Sequence, residues 1–185
     1  MSRLFVISGP SGAGKGTLIR GVLEARPDLA RVATSATTRA MRPGEVQGRE
    51  YHFMTVEEFA RGVADGEFEE WVEFAGNRYG TLKREIDGIL AQGANVILEL
   101  EVEGSLLIKE RRPDAVLVFI DCDPDALHDR LVARQTESSG EITERLRIAV
   151  EQGREKHRFD HVVVNERVDD AVEELLLLLE GALRG

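Results

Sequence analysis

The sequence predicts an α/β fold in which a parallel sheet is covered by helices. Three observations carry this. Short, unbroken apolar runs recur at Leu4–Ile7, Val96–Leu98, Ala115–Ile120 and Val162–Val164. Runs this continuous mark strands buried on both faces, as parallel sheets require. Segments of helical period lie between them, and a glycine-rich stretch joins the first strand to the first helix.

In chain order, Leu18–Ala25 reads as the first helix and stops at Pro27, which cannot continue it. Residues 34–80 carry short strand signals around a helix, Val56–Val63, and are dense in polar and aromatic groups. They are too long for a plain crossover, so an inserted lobe is expected. Thr81–Ala91 follows as a helix ending at Gly93. Asp123–Arg134 opens with an acidic cap and Pro124 at the first helical position. Residues 135–140, Gln-Thr-Glu-Ser-Ser-Gly, form a polar loop expected to act as a flap. Helices Glu141–Gln152 and Asp169–Leu183 complete the set. The run Leu175–Leu179 is far below the ~18 apolar residues of a membrane span and is expected to pack on the sheet.

A chain of 185 residues suits one domain with small inserted lobes. The net charge of −10 argues against a nucleic-acid-coating protein. It leaves room for an anionic substrate held by a few local arginines. A single cysteine, Cys122, permits no disulfide within the chain, so a reducing, cytoplasmic setting is expected, with Cys122 buried at a strand end. The run Leu4–Ile7 is too short for a signal peptide. Composition does not choose between a monomer and a homo-oligomer.

Gly9-Pro10-Ser11-Gly12-Ala13-Gly14-Lys15-Gly16-Thr17 follows a predicted strand and opens a predicted helix, the context that the Gly-x4-Gly-Lys phosphate loop requires. Its glycines let successive N–H groups turn toward phosphate oxygens, and the helix N-terminus adds partial positive charge. Lys15 is expected on the β- and γ-phosphates of ATP. The hydroxyl residue that commonly follows the lysine and touches Mg²⁺ is Gly16 here. The metal is therefore expected to be held largely by phosphates and water, with Glu99 or Glu101 as the candidate protein ligand. Thr17 is assigned to an inner phosphate.

The inserted lobe supplies a second set. Arg39 and Arg42 lie three apart in a Pro/Gly loop with Glu45 and Tyr51. Their planar forks suit a phosphate, although such a pair taken alone reads equally well as solvated surface charge. Glu70 and the stretch Gly76–Thr81 follow, and a buried carboxylate beside hydroxyls is what guanine's N1–H and 2-amino group need.

On these residues, together with Ser35–Tyr51, Arg134, Arg145 and Val163-Val164-Asn165, the chain resembles the guanylate kinase family over essentially its whole length. The resemblance implies a three-layer phosphate-loop NTPase core (1–33, 82–122 and 157–185), an inserted GMP-binding lobe (34–81) and a small helical lid (123–156). It implies ATP-dependent phosphorylation of GMP, and of dGMP, with Mg²⁺. Arg39, Arg42, Tyr51 and Tyr79, with Glu45 in the same set, match the family's acceptor-phosphate site. Ser35, Glu70, Thr81 and Glu101 match its guanine site. Asn165 matches a residue near the donor adenine, and Arg130 is expected on the donor side. Arg42, Arg134 and Arg145, with Lys15, match its catalytic cations.

The lid reading has independent support. Arg130 and Arg134 are spaced i, i+4 on one predicted helix, and Arg145 lies on the next, across the polar loop. Closure of that loop would bring Arg134 and Arg145 onto one developing charge. Glu141, four residues before Arg145, also permits a simple surface pair. The chain departs from the family where Glu99-Leu-Glu101-Val-Glu103-Gly104 replaces the usual Asp-x-Asp-x-Gln-Gly. Met41 stands where Pro is frequent, and Gln135 where Gly is common. Each added methylene moves a carboxylate by on the order of 1.5 Å. Glu103 is expected in solvent at a helix start.

Overall fold

The computed structural model describes residues 2–123, 127 and 139–183, with only the backbone path for 139–145. Five strands form the main sheet: β1 (Leu4–Ser8), β2 (Arg31–Val32), β7 (Val96–Glu99), β8 (Val116–Asp121) and β9 (His161–Val164). All pair in parallel, in the order β2–β7–β1–β8–β9. Side-chain alternation gives the sheet two apolar faces. Phe5, Ile7, Val118 and Ile120 meet Leu18, Ile19 and Val22 of α1 (Lys15–Ala25) and Ala171, Leu175 and Leu179 of α6 (Val168–Ala182). Leu4, Val6, Leu98 and Leu117 face the other way, onto Ile86 of α3 (Lys83–Ala91) and Val102 and Ile108 of α4 (Val102–Arg111). This is the three-layer α/β arrangement expected from the apolar runs. Of the leucine run near the C-terminus, Leu175 and Leu179 form the inner stripe of α6, each stabilising by roughly 1.5–3 kcal/mol, while Leu177 faces outward.

A second sheet comes from residues 36–82. It comprises β3 (Ala36–Thr37), β4 (His52–Phe53), β5 (Phe68–Phe74) and β6 (Asn77–Leu82), in the order β4–β3–β6–β5. The β5–β6 hairpin turns on Ala75 and Gly76, both at positive φ (48° and 73°), the conformation of a tight two-residue turn. Helix α2 (Val56–Ala64) starts at a reciprocal Thr55/Glu58 capping box. It sends Phe59 onto Phe68, with ring centroids 4.3 Å apart. Polar ties join this sheet to the main body. Arg112, at the end of α4, reaches Glu69 of β5 and Asp87 of α3, each at 2.9 Å. His52 Nε2 lies 2.9 Å from Glu85 of α3.

Several expectations are corrected. Thr81 and Leu82 belong to β6, and the helix begins at Lys83, because both residues are buried against their β5 partners Glu70 and Phe68. The run at Val162–Val164 is an edge strand, with Val162 39% and Val164 47% exposed, since nothing beyond β9 covers it among the described residues. Of helix α4 the sequence marked only the start, at Glu103, and not the extent. Two of its buried positions are Gly104 and Ser105, so hydrophobic period does not reveal it. The helix expected at Glu141–Gln152 is α5 (Ser139–Arg154), two residues longer at each end. Arg130, Arg134 and the flap at 135–138 lie outside the described residues, as does the side chain of Arg145. Cys122 is buried just past β8, and Glu103 is exposed in the first turn of α4. Among the described residues no helix is long and apolar enough to cross a membrane.

Candidate functional site

The loop from β1 to α1 passes so close to β8 that its first glycine can be nothing else. A Cβ at Gly9 would lie 2.2 Å from the Ile120 carbonyl oxygen, and the backbone there has φ +138°. Gly12 and Gly14 also take positive φ, which curls the loop back on itself. Helix α1 then starts at Gly14 with no side-chain cap and no acid in its first turn. Its N-terminal N–H groups are left for an anion. Lys15 is buried, and its ammonium donates to the carbonyls of Gly9 (2.6 Å) and Pro10 (3.2 Å) and stands 3.5 Å from Glu101 Oε1. Asn165, at the end of β9, donates from Nδ2 to the Ala13 carbonyl at 2.7 Å and is 1% exposed. The structure thus makes Asn165 a prop of the loop's backbone.

A cleft of about 520 Å³ separates this loop from the second sheet. Ser11, Gly12, Gly14, Lys15, Gly16, Thr17 and Arg20 form one wall; Ser35, Tyr51, Glu70 and Tyr79 form the other; Glu99, Glu101 and Gly104 close the base. Thr81 stands behind Glu70 and donates its hydroxyl to Oε1 at 2.6 Å. Burial pushes the Glu70 carboxyl up to about 6, against the pull of the Thr81 hydrogen bonds. Tyr51 and Tyr79 meet edge to face at 6.1 Å, and burial raises the Tyr51 phenol, which keeps it a donor. The Arg39 guanidinium lies 5.5 Å from the Tyr51 and Phe53 ring centres and is gripped by both Glu45 oxygens, at 2.8 and 3.0 Å. That bond raises Arg39 and lowers Glu45 from their ordinary values. Glu45 also accepts the Arg42 backbone N–H at 2.7 Å. Neither Arg39 nor Arg42 is among the residues that line the cleft, and Arg42 is exposed.

Gly16 and the longer acid at Glu99 fit each other. A Cβ at Gly16 would lie 3.3 Å from Glu99 Oε2, so the absent side chain leaves space that the longer carboxylate occupies. Glu99 opens onto the cleft, yet the surrounding protein withholds enough water to raise its carboxyl, while Lys15 pulls it down. Among the described residues no hydrogen-bond donor reaches it.

The sequence reading gave no role to Arg20 or Gly104, which line the cleft, or to Gln152, which bonds a residue that does. Arg20 sits four residues after Gly16, one helical turn, and that spacing could have shown it. Gln152 of α5 donates Nε2 to Glu101 Oε2 at 2.9 Å, across 51 residues. Gly104 faces Glu70 from α4. Neither of these has a local signal. A second cavity, about 640 Å³, lies on the far side of the phosphate loop between Pro10, Cys122, Leu127, Leu146, Ala149 and Val164.

Comparison with known proteins agrees with this geometry. The family model described as guanylate kinase matches residues 1–182. The guanylate kinase of Rubrobacter xylanophilus is 45% identical over 184 residues, 99% of this chain and 96% of that protein. That of Streptococcus pneumoniae is 42% identical over 179 residues, 96% of this chain and 86% of the relative. The crystal structure of guanylate kinase from Anaplasma phagocytophilum superposes with a TM-score of 0.79 at 27% identity, covering 97% of this chain and 85% of that one. A shikimate kinase from Bacteroides thetaiotaomicron, at 18% identity and a TM-score of 0.54, shares the fold alone. With the match running nearly end to end, the chain belongs to the guanylate kinase family.

Proposed function

We propose that this chain transfers the γ-phosphoryl group of ATP to GMP, and to dGMP, giving ADP and GDP. The observation that carries the reading is the Glu70–Thr81 pair, buried opposite Lys15 across one cleft. An ionised carboxylate there accepts from guanine's N1–H and 2-amino group, which adenine, cytosine and uracil cannot offer in that pattern. Ser35 and Glu101 complete the base site. Residues 34–81 act as the acceptor lobe, 123–156 as the lid, and the remainder as the core.

The loop cradles the donor phosphates with its backbone N–H groups, and Lys15 meets the charge that builds on the transferred group. Asn165 holds the loop in shape. The apolar cavity beside Pro10 takes the donor's base, with Arg130 on that side. Tyr51, Tyr79 and Arg39 hold the GMP phosphate. Arg39 spends three N–H groups on Glu45 and Ala40, which leaves Nε–H and one Nη2–H for the anion. An oxygen of that phosphate attacks the γ-phosphorus as the bond to the β-bridging oxygen breaks. Arg42, Arg134 and Arg145 converge on this centre when the lid closes. Because the protein does little covalent work, positioning and charge placement supply the rate.

The residues present fit Mg²⁺ carried by the nucleotide. No three His, Cys, Asp or Glu side chains form a dedicated cage among the described residues, whereas Glu99 offers a carboxylate with no donor beside Gly16. The ion when bound neutralises charge on the β- and γ-phosphates.

The test is a coupled ADP-release assay with ATP, Mg²⁺ and each of GMP, AMP, CMP and UMP. GMP should turn over far faster than the rest. Equal rates would sink the guanine assignment, and no turnover with any would favour a binding module of this family. Lys15→Ala and Arg145→Ala should each lower kcat by at least about 100-fold, the scale of one lost charge-stabilising donor, with less effect on GMP binding.

A further inference from the structure

Gly104 is the third residue of α4 and is buried where that helix crosses β5. A Cβ built there would stand 3.1 Å from Glu70 Oε2 and 3.6 Å from the carboxyl carbon. That is tighter than ordinary contact, so either the helix or the carboxylate would have to move. The helix is held by Val102 and Ile108 in the core and by Arg111 and Arg112 on β5. The carboxylate is the mobile partner, but its other oxygen is tied to Thr81 at 2.6 Å and the residue is 1% exposed. It can give way only by rotating, which turns Oε2 from the cleft or breaks the Thr81 bond. Glu70 and Gly104 both line the cleft, so a methyl group there would also take space from the ligand.

We infer that Gly104 is a specificity-determining position for the acceptor base: the hydrogen in place of a side chain lets the Glu70 carboxylate stand against the first turn of α4, with one oxygen on Thr81 and the other presented to the base. The first turn of a helix carries partial positive charge, so this placement also suits an anion. Gly104 touches no reacting atom; it acts by positioning Glu70. The inference rests on the reading of Glu70 as the guanine acceptor.

The test compares Gly104→Ala with wild type using GMP and inosine monophosphate, which is GMP without its 2-amino group. Alanine is the better helix former, by about 1 kcal/mol, so folding is not where the loss should fall. KM for GMP should rise about 10-fold or more, with kcat at saturating GMP and KM for ATP within about 3-fold. The preference for GMP over inosine monophosphate in kcat/KM should shrink by about 10-fold, a readout that a merely structural defect does not move. Gly88→Ala in α3, where a Cβ meets nothing within 4 Å, controls for a helical glycine and should change none of these. An unchanged GMP preference in Gly104→Ala, or an equal loss with both substrates, overturns the inference. Glu70→Gln separates the two levels. If it leaves the preference intact, the reading of Glu70 falls; if it abolishes the preference while Gly104→Ala does not, only the role of Gly104 falls.

Discussion

Glu70 should make this protein less stable than it could be, by an amount that depends on pH. Its carboxyl is lifted from 4.5 to about 6 because burial disfavours the charged form more than Thr81 favours it. The sign follows from proton counting. Between these values the folded chain holds the proton more tightly than the unfolded chain, so stability is lost as pH rises from about 4.5 through 6. A shift of ~1.5 units corresponds to about 2 kcal/mol of penalty above pH 7. Glu70→Gln keeps the shape and an acceptor for Thr81 and removes the charge. The variant should therefore exceed wild type by about 2 kcal/mol at pH 8, and the gap should close near pH 4. For a domain of this size that is roughly 4–8 °C in Tm. Urea melts of both proteins at pH 4.5, 6 and 8 read the gap directly, and groups common to both cancel in the difference. A pH-independent gap, or a variant less stable at pH 8, would refute the argument that desolvation dominates here. The same substitution should cost GMP affinity, and wild-type KM for GMP should rise as pH falls below 6, when the carboxyl becomes a donor facing donors. The acid that costs stability is the one proposed to read the base.

Arg112→Ala should destabilise by about 2 kcal/mol, since it strands the buried Glu69 carboxylate; replacing Glu69 with Gln in the same chain should recover part of that in urea melts. Asn165→Ala removes the hydrogen bond to the Ala13 carbonyl, at a cost of about 0.5–1.5 kcal/mol, and should raise KM for ATP while leaving KM for GMP near wild type. An unchanged KM for ATP would mean that the loop holds its shape without this prop.

The parts of the molecule visible in the sequence are those whose physics is local. Leu4–Ile7 is apolar at every position because β1 is covered on both faces, and Gly9–Thr17 follows it because a loop that turns N–H groups toward phosphate needs glycine at its positive-φ positions, Gly9, Gly12 and Gly14. Where the local signal was weak or shared, it misled. Thr81–Leu82 has enough apolar character for a helix start, but pairing with β5 holds it as strand. Val162 and Val164 look like core and sit at a sheet edge. The extent of helix α4 hides because Gly104 and Ser105 occupy part of its inner side, where the sequence pattern asks for Leu or Ile.

The sequence by itself determined the alternation of strands and helices, the phosphate loop and the residue types of the second sheet, since each depends on neighbours within a few positions. Only the tertiary structure decided how they meet. Asn165 reaches Ala13 across 152 residues, Gln152 reaches Glu101 across 51, and Gly104 clears space for Glu70 from another element. Distances of that kind are set by packing the sheet against its helices, and no spacing along the chain encodes them. The mutual fit of Gly16 and Glu99 is of the same kind: along the chain they are two unrelated residues, and in the fold they share one space.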